Sequence, residues 1–284
     1  MTDRRTVVYR YATPATGEAG SNPRANPVTS RDTMDDARRV VIKIGSSSLT
    51  TSEGLNTEAI DALVDVIASL RQKGTQVVLV SSGAVAAGFP QLGLTRRPKD
   101  TATQQAAASV GQGSLMAYYS QSFQRYDTTV AQVLLTAEEL MRRRQYINAH
   151  RSLARLLTMD VMPIVNENDA VATREIRFGD NDRLAALTAN LVKADLLVLL
   201  SDVDSLYTGH PALPDSRRIA TVASDDDLEG VDVRRPGAAG VGTGGMVTKV
   251  DAAGIAATTG IPTLLTSAPN AAAARRSANA PPCA

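Results

Sequence analysis

The stretch from Val161 to Leu184 reads VMPIVNENDAVATREIRFGDNDRL, and the rest of the chain is interpreted outward from it. It begins with an apolar run to Val165 that is typical of a buried strand. The run breaks into Asn-Glu-Asn-Asp at 166–169, and a second polar cluster at 180–182 begins a segment whose leucines recur at helical spacing. Polar groups at this density are costly at a sheet unless they are paired. The two clusters therefore predict a binding site at the end of a strand.

Both clusters have an alternative interpretation as ordinary caps, because Asn and Asp are preferred at helix N-caps. Two caps need far fewer groups than the chain supplies here. The carboxylates are Glu167, Asp169, Asp180 and Asp182, and the amides are Asn166, Asn168 and Asn181. The excess of carboxylates predicts a pocket for a molecule that carries a positive group.

Charge and composition bound the class of partner. The 284 residues include 30 basic and 29 acidic side chains, a net charge of +1, with no Trp and 4% aromatic residues. Little material is left for base stacking or a phosphate-tracking face, so nucleic acid is not an expected partner. The one dense basic run, at 142–144, lies in a helical pattern and is interpreted as a solvated face. The length favours one large α/β domain.

Cysteine usage and hydropathy predict a compartment. Cys283 is the only cysteine, so the sequence offers neither an intrachain disulfide nor a cysteine-based metal site. No apolar run reaches the roughly 18 residues of a membrane span, and the first residues lack the apolar region of a signal peptide. We expect a cytoplasmic protein with no membrane partner.

The two ends of the chain lack sustained periodicity. Residues 1–37 contain several prolines and show no period of 2 or 3.6, so they are predicted to be a disordered extension. On this prediction, removing residues 1–33, so that the chain starts at Met34, leaves the melting temperature nearly unchanged. Residues 269–284 are predicted to be a disordered tail, and the folded domain is placed at 38–268.

A lysine marks the first strand of that domain. The β-branched run from Arg39 to Ile44 carries Lys43 near its end and is followed by a Gly/Ser turn at 45–48. A lysine in such a run is costly unless its ammonium meets an anion, and the turn offers backbone N–H groups to a phosphate. Lys43 is thus a candidate phosphate clamp. The alternative is an edge-strand lysine that reaches solvent.

The next segments form a strand–helix–strand unit. An amphipathic helix is predicted from Asn56 to Lys73, and a strand from Val77 to Val80 follows it and ends in Ser81-Ser82-Gly83. Such a unit implies a parallel sheet with its site at the carboxyl ends of the strands. Further elements are predicted at 101–126 (helix), 130–135 (strand), 137–158 (helix), 195–200 (strand) and 261–266 (strand). Ser201 and Asp202 follow the fourth of these, as site residues or as an Asx-turn.

A glycine-rich segment, GVGTGGMVTK at 240–249, has the GxGxxG spacing of a dinucleotide-binding loop. It does not follow a strand, and Thr248 rather than Gly precedes Lys249, so neither that motif nor a Walker A loop is matched in context. What remains is a loop that begins a helix with a lysine in its first turns, which suits phosphate binding. The alternative is a mobile linker.

Six motifs taken together resemble glutamate 5-kinases, within the amino acid kinase superfamily. They are VVIKIGSSSLT, VSSGAVAAG, PIVNENDAV, FGDND, LLSDVDSLY and GTGGMVTKVDAA, in this order over about residues 38–268. The resemblance implies an α/β fold with an open, mostly parallel sheet sandwiched between helices. It also implies ATP-dependent phosphorylation of the L-glutamate side-chain carboxylate to L-glutamyl 5-phosphate, the first step of proline biosynthesis.

The resemblance also implies roles for single residues. Lys43, Asp182 and Lys249 would be catalytic, with Asp182 orienting the two lysines that hold the phosphates. Ser82, Asp169 and Asn181 would bind glutamate, helped by Asn166 and Asp180. The residues near ATP would be Lys43, Ser201, Asp202, Thr243, Gly244, Gly245, Met246, Val247, Thr248 and Lys249.

The cofactors implied are ATP and Mg²⁺, with the metal held mainly by phosphates and water rather than by a protein ligand. The resemblance further suggests a homo-oligomer and feedback binding of proline. Many members continue into a C-terminal PUA domain, and no such domain is expected in these 284 residues.

Two alternative functions stay open at this point. One is a kinase of the same superfamily with another acceptor, N-acetylglutamate or UMP. The other is an inactive amino-acid sensor, against which the presence of Lys43, Asp182 and Lys249 argues.

Overall fold

The computed structural model describes residues 7–9, 28, 31–51, 54–94, 98, 100–171, 180–209, 211–231 and 245–268. Within them the strands are β1 (Val7–Tyr9), β2 (Arg39–Ile44), β3 (Thr50–Thr51), β4 (Gly54–Leu55), β5 (Gln76–Val80), β6 (Val130–Leu135), β7 (Met162–Glu167), β8 (Leu196–Ser201), β9 (Leu206–Tyr207), β10 (Arg218–Ile219), β11 (Thr221–Val222) and β12 (Thr263–Ser267). The α-helices are α1 (Ser46–Leu49), α2 (Thr57–Gln72), α3 (Ala84–Gly88), α4 (Thr101–Gln124), α5 (Ala137–Met141), α6 (Arg143–Thr158), α7 (Asp180–Val192) and α8 (Met246–Ala257).

One sheet of eight described strands forms the centre of the fold, in the order β11-β1-β12-β8-β2-β5-β7-β6. Every neighbouring pair in it is parallel except β1 and β12. Two small ribbons, β3 with β4 and β9 with β10, lie outside it. The predicted open, mostly parallel sheet is confirmed.

Helices cover both faces of this sheet. Successive residues of a strand point to opposite faces, and on each face they pack against helices in a separate hydrophobic core. Val41 belongs to a core built with α6, α7 and α8, whereas Val40 and Ile42 belong to a second core built with α2 and α4. Strands buried on both faces read as nearly continuous apolar runs, which is how β5 and β8 appear in the sequence, and β2 apart from Arg39 and Lys43. The sandwich predicted for the sheet is therefore also confirmed.

Helices α3 and α4 touch through their backbones at two glycines. A Cβ atom on Gly88 would lie 1.8 Å from the carbonyl oxygen of Ala107, and one on Gly111 would lie 1.9 Å from that of Ala84. No side chain larger than hydrogen fits at either position. This contact fixes α4 beside the segment that follows β5, where the predicted site begins.

The helix predicted at 137–158 is divided in two. Arg142 separates α5 from α6 and has extended backbone angles, φ −94° and ψ 121°. In a continuous helix, Leu140 and Ala149 would lie about 180° apart at 100° per residue. Both are buried in the same core, so the break is what brings both apolar faces inward. The basic run at 142–144 is exposed, as predicted.

The prediction of disorder for residues 1–37 is wrong where the structure describes them. The strand Val7–Tyr9 pairs with β11 and β12, Val28 is 5% exposed, and a 3-10 helix spans Arg31–Asp36. A strand of three residues and an isolated buried valine give no periodicity, which is why the pattern was invisible in the sequence. The remainder of 1–37 lies outside the described residues, as does 269–284.

Removal of residues 1–33 is consequently expected to lower the melting temperature. The deletion takes away β1 and the buried Val28, and burying one valine stabilises a fold by about 1.5–3 kcal/mol. For a domain of this size each kcal/mol corresponds to about 2–4 °C, so we expect a decrease of about 5 °C or more in a thermal melt. The single substitution Val28→Ala separates the contribution of the valine from that of the strand. An unchanged melting temperature after the deletion would contradict the described packing.

Candidate active site

The candidate site lies where the parallel strands β8, β2, β5 and β7 end. From β2 the chain proceeds to β5 and β7 on one side and later returns to β8 on the other, so the direction of winding reverses between β2 and β8. Ligands of open α/β sheets bind outside the carboxyl ends of strands at such a reversal. Lys43 is the second-last residue of β2 and therefore lies at this point.

Lys43, Asp182 and Lys249 form one buried cluster. The Nζ atom of Lys43 lies 2.6 Å from Oδ1 of Asp182, and Nζ of Lys249 lies 3.2 Å from Oδ2 of the same carboxylate. Asp182 is in the first turn of α7, where the helix dipole favours a carboxylate, and Lys249 is in the first turn of α8. Thr248 also donates a hydrogen bond to Asp182 Oδ2, at 2.7 Å. The side chains of the three charged residues are 1–7% exposed.

The charges of the cluster perturb one another. Burial, with the nearby Lys249 ammonium, lowers the pKa of Lys43, and Asp182 opposes that shift. Burial alone would raise the pKa of Asp182, but Lys43 and Lys249 hold the pKa of this carboxyl well below its usual range. Asp182 is therefore ionised at neutral pH. With both lysines charged the cluster holds two positive groups and one negative group, which suits it to an anion such as phosphate.

A network of amides joins the ends of β5 and β7 to α7. The Nδ2 group of Asn181 donates to Ser82 Oγ at 2.9 Å and to Asn166 Oδ1 at 3.1 Å. The backbone N–H of Glu167 also donates to Asn166 Oδ1, at 2.9 Å. Three residues from distant parts of the sequence, Ser82, Asn166 and Asn181, are thereby held in one place.

Two residues of α4, Gln112 and Tyr119, contact the ends of β7 and β5, and neither was predicted as a site residue. Asn166 Nδ2 donates to Gln112 Oε1 at 2.8 Å, and the hydroxyls of Tyr119 and Ser81 lie 2.9 Å apart. Burial raises the pKa of Tyr119, so its hydroxyl stays protonated at neutral pH. Gln112 belongs to an apolar stripe with Ala108 and Leu115, and a polar residue in such a stripe is the sequence signal that could have identified it.

The amino acid kinase family model matches residues 38–267. This range covers most of the chain and contains every strand end of the site. The chain belongs to the amino acid kinase family.

Curated relatives of this family member are glutamate 5-kinases of several bacteria. The chain is 62% identical to the glutamate 5-kinase of Thermobifida fusca (strain YX) over 247 residues, which is 87% of this chain and 64% of that protein. It is 62% identical to the enzyme of Streptomyces coelicolor over 243 residues, which is 85% of this chain and 65% of that protein. The chain thus spans about two thirds of the length of the curated relatives it matches.

Solved structures of the same fold include an isopentenyl phosphate kinase of T. acidophilum and a UMP kinase of Bacillus anthracis. The first has a TM-score of 0.53 and 16% identity, covering 85% of this chain and 96% of that chain. The second has a TM-score of 0.54 and 14% identity, covering 84% and 91%. At these identities the likeness concerns the fold alone.

The remaining predicted site residues of this family member lie around the cluster or outside the described residues. Ser201, at the end of β8, is buried and donates to Asp202 Oδ1 at 2.9 Å, whereas Asp202 is exposed. Asp169 is half-buried after β7. Gly245, Met246, Val247 and Thr248 form the start of α8. Thr243, Gly244 and the side chain of Asp180 lie outside what the structure describes.

The described part of the chain contains neither a membrane-spanning helix nor a cluster of metal-ligating side chains. None of the described helices is both long and apolar enough to cross a bilayer. No group of three or more His, Cys, Asp or Glu residues in the described ranges could hold a metal ion. Asp182, whose side chain is 1% exposed, is occupied by two ammonium groups.

Proposed function

We propose that the protein is an ATP-dependent kinase that phosphorylates the side-chain carboxylate of L-glutamate and so produces L-glutamyl 5-phosphate, the first step of proline biosynthesis. The observation that carries the proposal is the buried Lys43–Asp182–Lys249 cluster beside the amide network at the strand ends. The charged cluster is suited to binding phosphoryl groups, and the amide network is suited to binding a small polar acceptor. The 62% identity to glutamate 5-kinases supports glutamate as that acceptor.

The reaction needs no general base in this proposal. A glutamate side chain has a pKa of about 4.3, so the attacking carboxylate is already ionised at neutral pH. The obstacle is instead the repulsion between two anions and the charge on the transferring phosphoryl group. Lys43 and Lys249 are suited to offset both, because their ammonium groups are fixed by one carboxylate before the substrates arrive.

ATP would lie on the β8 side of Lys43, along the start of α8. Ser201 and Asp202 are at the end of β8, and the N-terminus of the helix that begins at Met246 is suited to binding an anion. The predicted loop residues Thr243 and Gly244 belong to the same proposal. Mg²⁺ would be held by the phosphate oxygens and water, and when bound it would supply further positive charge against the phosphates.

Glutamate would lie on the β5 and β7 side. Ser82 and Asn181 offer a hydroxyl and an amide that are already oriented by Asn166. Asp169, which follows β7, is the carboxylate that we assign to the substrate ammonium, with Asp180 as a second. This arrangement also opposes an N-acetylated acceptor, since acetylation removes the positive charge.

Several broader predictions accompany this function. We expect the protein in the cytoplasm, as a homo-oligomer that binds neither nucleic acid nor membranes, with proline as a feedback ligand. A catalytically inactive sensor stays the alternative class. The intact Lys43–Asp182–Lys249 cluster favours catalysis, because a sensor has no need of two buried lysines.

Acceptor choice tests the proposal. We expect glutamate to support ATP turnover at a kcat/KM at least about 10²-fold above that of N-acetylglutamate, because a carboxylate left unpaired in the pocket costs a few kcal/mol. Turnover should be measured by coupled ADP release with glutamate, aspartate, N-acetylglutamate and UMP at saturating ATP and Mg²⁺. Equal turnover of glutamate and N-acetylglutamate, or turnover of UMP alone, would contradict the assignment, and no turnover of any acceptor would favour the sensor.

A further inference from the structure

Gln112 is a buried amide outside the set of residues to which the motifs assign roles. It lies on α4, is 8% exposed, and accepts a hydrogen bond from Asn166 at its Oε1 atom. Its Nε2 group is buried and has no hydrogen-bond partner in the part of the chain that the structure describes. Of the two polar atoms of the Gln112 amide, the oxygen is therefore hydrogen-bonded and the nitrogen is not.

The backbone determines the orientation of each amide in the network. Because the N–H of Glu167 can only donate, the atom of Asn166 that meets it must be the oxygen. The Nδ2 group of Asn166 consequently points to the other side, where it meets Gln112 Oε1. Asn181 in turn donates to the same Asn166 oxygen and to Ser82. A rotation of Asn166 by 180° would place its amide against two donors.

Gln112 is an expensive choice for a residue with only a packing role. A buried donor without an acceptor lowers stability, whereas apolar side chains of the same shape in place of both Gln112 and Asn166 would leave no donor unpaired. The backbone contact of Gly111 with α3 directly precedes Gln112 and fixes its place. Residues that lower stability in this manner are expected where function requires them.

We propose that Gln112 is a positioning residue for the acceptor. It fixes the Nδ2 side of Asn166, whose oxygen side is held by the Glu167 N–H, and so keeps in place the network through which Asn181 and Ser82 present their polar groups to the acid acceptor. The inference rests on the proposed glutamate kinase function. It adds that affinity for the acceptor depends on α4, a helix that supplies no residue to the predicted site.

The variant Gln112→Met tests this role. It keeps the size of the side chain and removes the acceptor for Asn166 Nδ2, so the Nδ2 side of the Asn166 amide is no longer held. We expect the KM for glutamate to rise about tenfold or more, with kcat and the KM for ATP within about twofold of the wild type. The matched control is Gln121→Met, the same substitution at an exposed position of the same helix, which should leave both constants unchanged.

An unchanged KM for glutamate in Gln112→Met would overturn the proposal, because Asn166 would then hold Asn181 and Ser82 in place without Gln112. If thermal melting shows Gln112→Met to be unfolded, Gln112→Asn, which is too short to reach Asn166, is expected to give the same increase.

The double variant Gln112→Met with Asn166→Ala completes the test. If Gln112 acts through Asn166, its loss adds nothing to the KM of Asn166→Ala, whereas independent roles would multiply the two effects. Wild-type turnover of glutamate in the same assay tests the proposed function separately. Should the wild type turn over no acceptor, the rise in melting temperature on adding glutamate replaces KM as the measure of affinity. A smaller rise in melting temperature for Gln112→Met than for the wild type and for Gln121→Met then supports the inference. Equal rises in melting temperature for all three proteins oppose it.

Discussion

Asp182→Asn should lower kcat by roughly 10²-fold or more and lower the melting temperature by about 10 °C. Asp182 is shared by Lys43 and Lys249, and its side chain is 1% exposed. Removing one partner of a buried ion pair costs about 3–5 kcal/mol, since the remaining charge is left without compensation. In a domain of this size that corresponds to about 10 °C or more. Catalysis suffers because the two ammonium groups repel each other and lose their fixed positions.

The pH dependence of this variant has a definite sign. Burial lowers the pKa of Lys43 even with Asp182 present, and without Asp182 that pKa must fall further. A lysine whose pKa is lower in the folded state binds fewer protons there than in the unfolded chain, so stability rises with pH up to the ordinary value of 10.5. The deficit of Asp182→Asn relative to the wild type should therefore shrink as the pH rises toward 10.5.

Urea unfolding and coupled ADP release at several pH values measure these two effects. Asp251→Asn is the matched control, because Asp251 is an exposed aspartate on α8, the helix that carries Lys249. It should change neither kcat nor stability by a measurable amount. A variant Asp182→Asn with normal kcat would remove Asp182 from the catalytic cluster, and a deficit that grows with pH would contradict the charge argument.

The charged part of the site could be predicted from the sequence because each member carries a local signal. Lys43 interrupts an apolar strand, Asp182 belongs to a polar cluster at a helix start, and Lys249 follows a glycine-rich segment. Parallel strands end at one edge of the sheet, so residues at these positions are brought together by the fold class alone. The structure joins them through one carboxylate.

The contacts of the supporting residues could not be predicted, since they depend on packing between distant segments. Gln112 reaches Asn166 across 54 residues of sequence, and only because Gly88 and Gly111 let α3 and α4 touch. Neither glycine has a signal that distinguishes it from a flexible position. Strand β1 escaped prediction for a similar reason, because three residues become a strand only when β11 and β12 are already in place.

Lys249→Met should lower kcat by roughly 10²-fold or more while leaving the KM for glutamate within a few-fold of the wild type. The lysine faces the proposed phosphoryl group, whose charge shifts as the bond to ADP breaks, so the interaction strengthens in the transition state. Stability should change much less than in Asp182→Asn. Loss of Lys249 leaves Lys43 paired with Asp182 and removes a positive charge that disfavours the charged form of Lys43.

Asp169→Asn supplies the contrasting signature, because the ammonium of glutamate meets Asp169 equally before and during the chemical step. It should mainly raise the KM for glutamate, with kcat little changed. Lys73→Met, at an exposed lysine outside the site, controls for loss of a positive charge in general. Both constants follow from coupled ADP release at saturating ATP and Mg²⁺, with thermal melts to establish folding. If Asp169→Asn lowers only kcat while Lys249→Met raises only the KM for glutamate, the two sides of the site have been assigned in reverse, and the phosphates must lie against the amides rather than against the lysines.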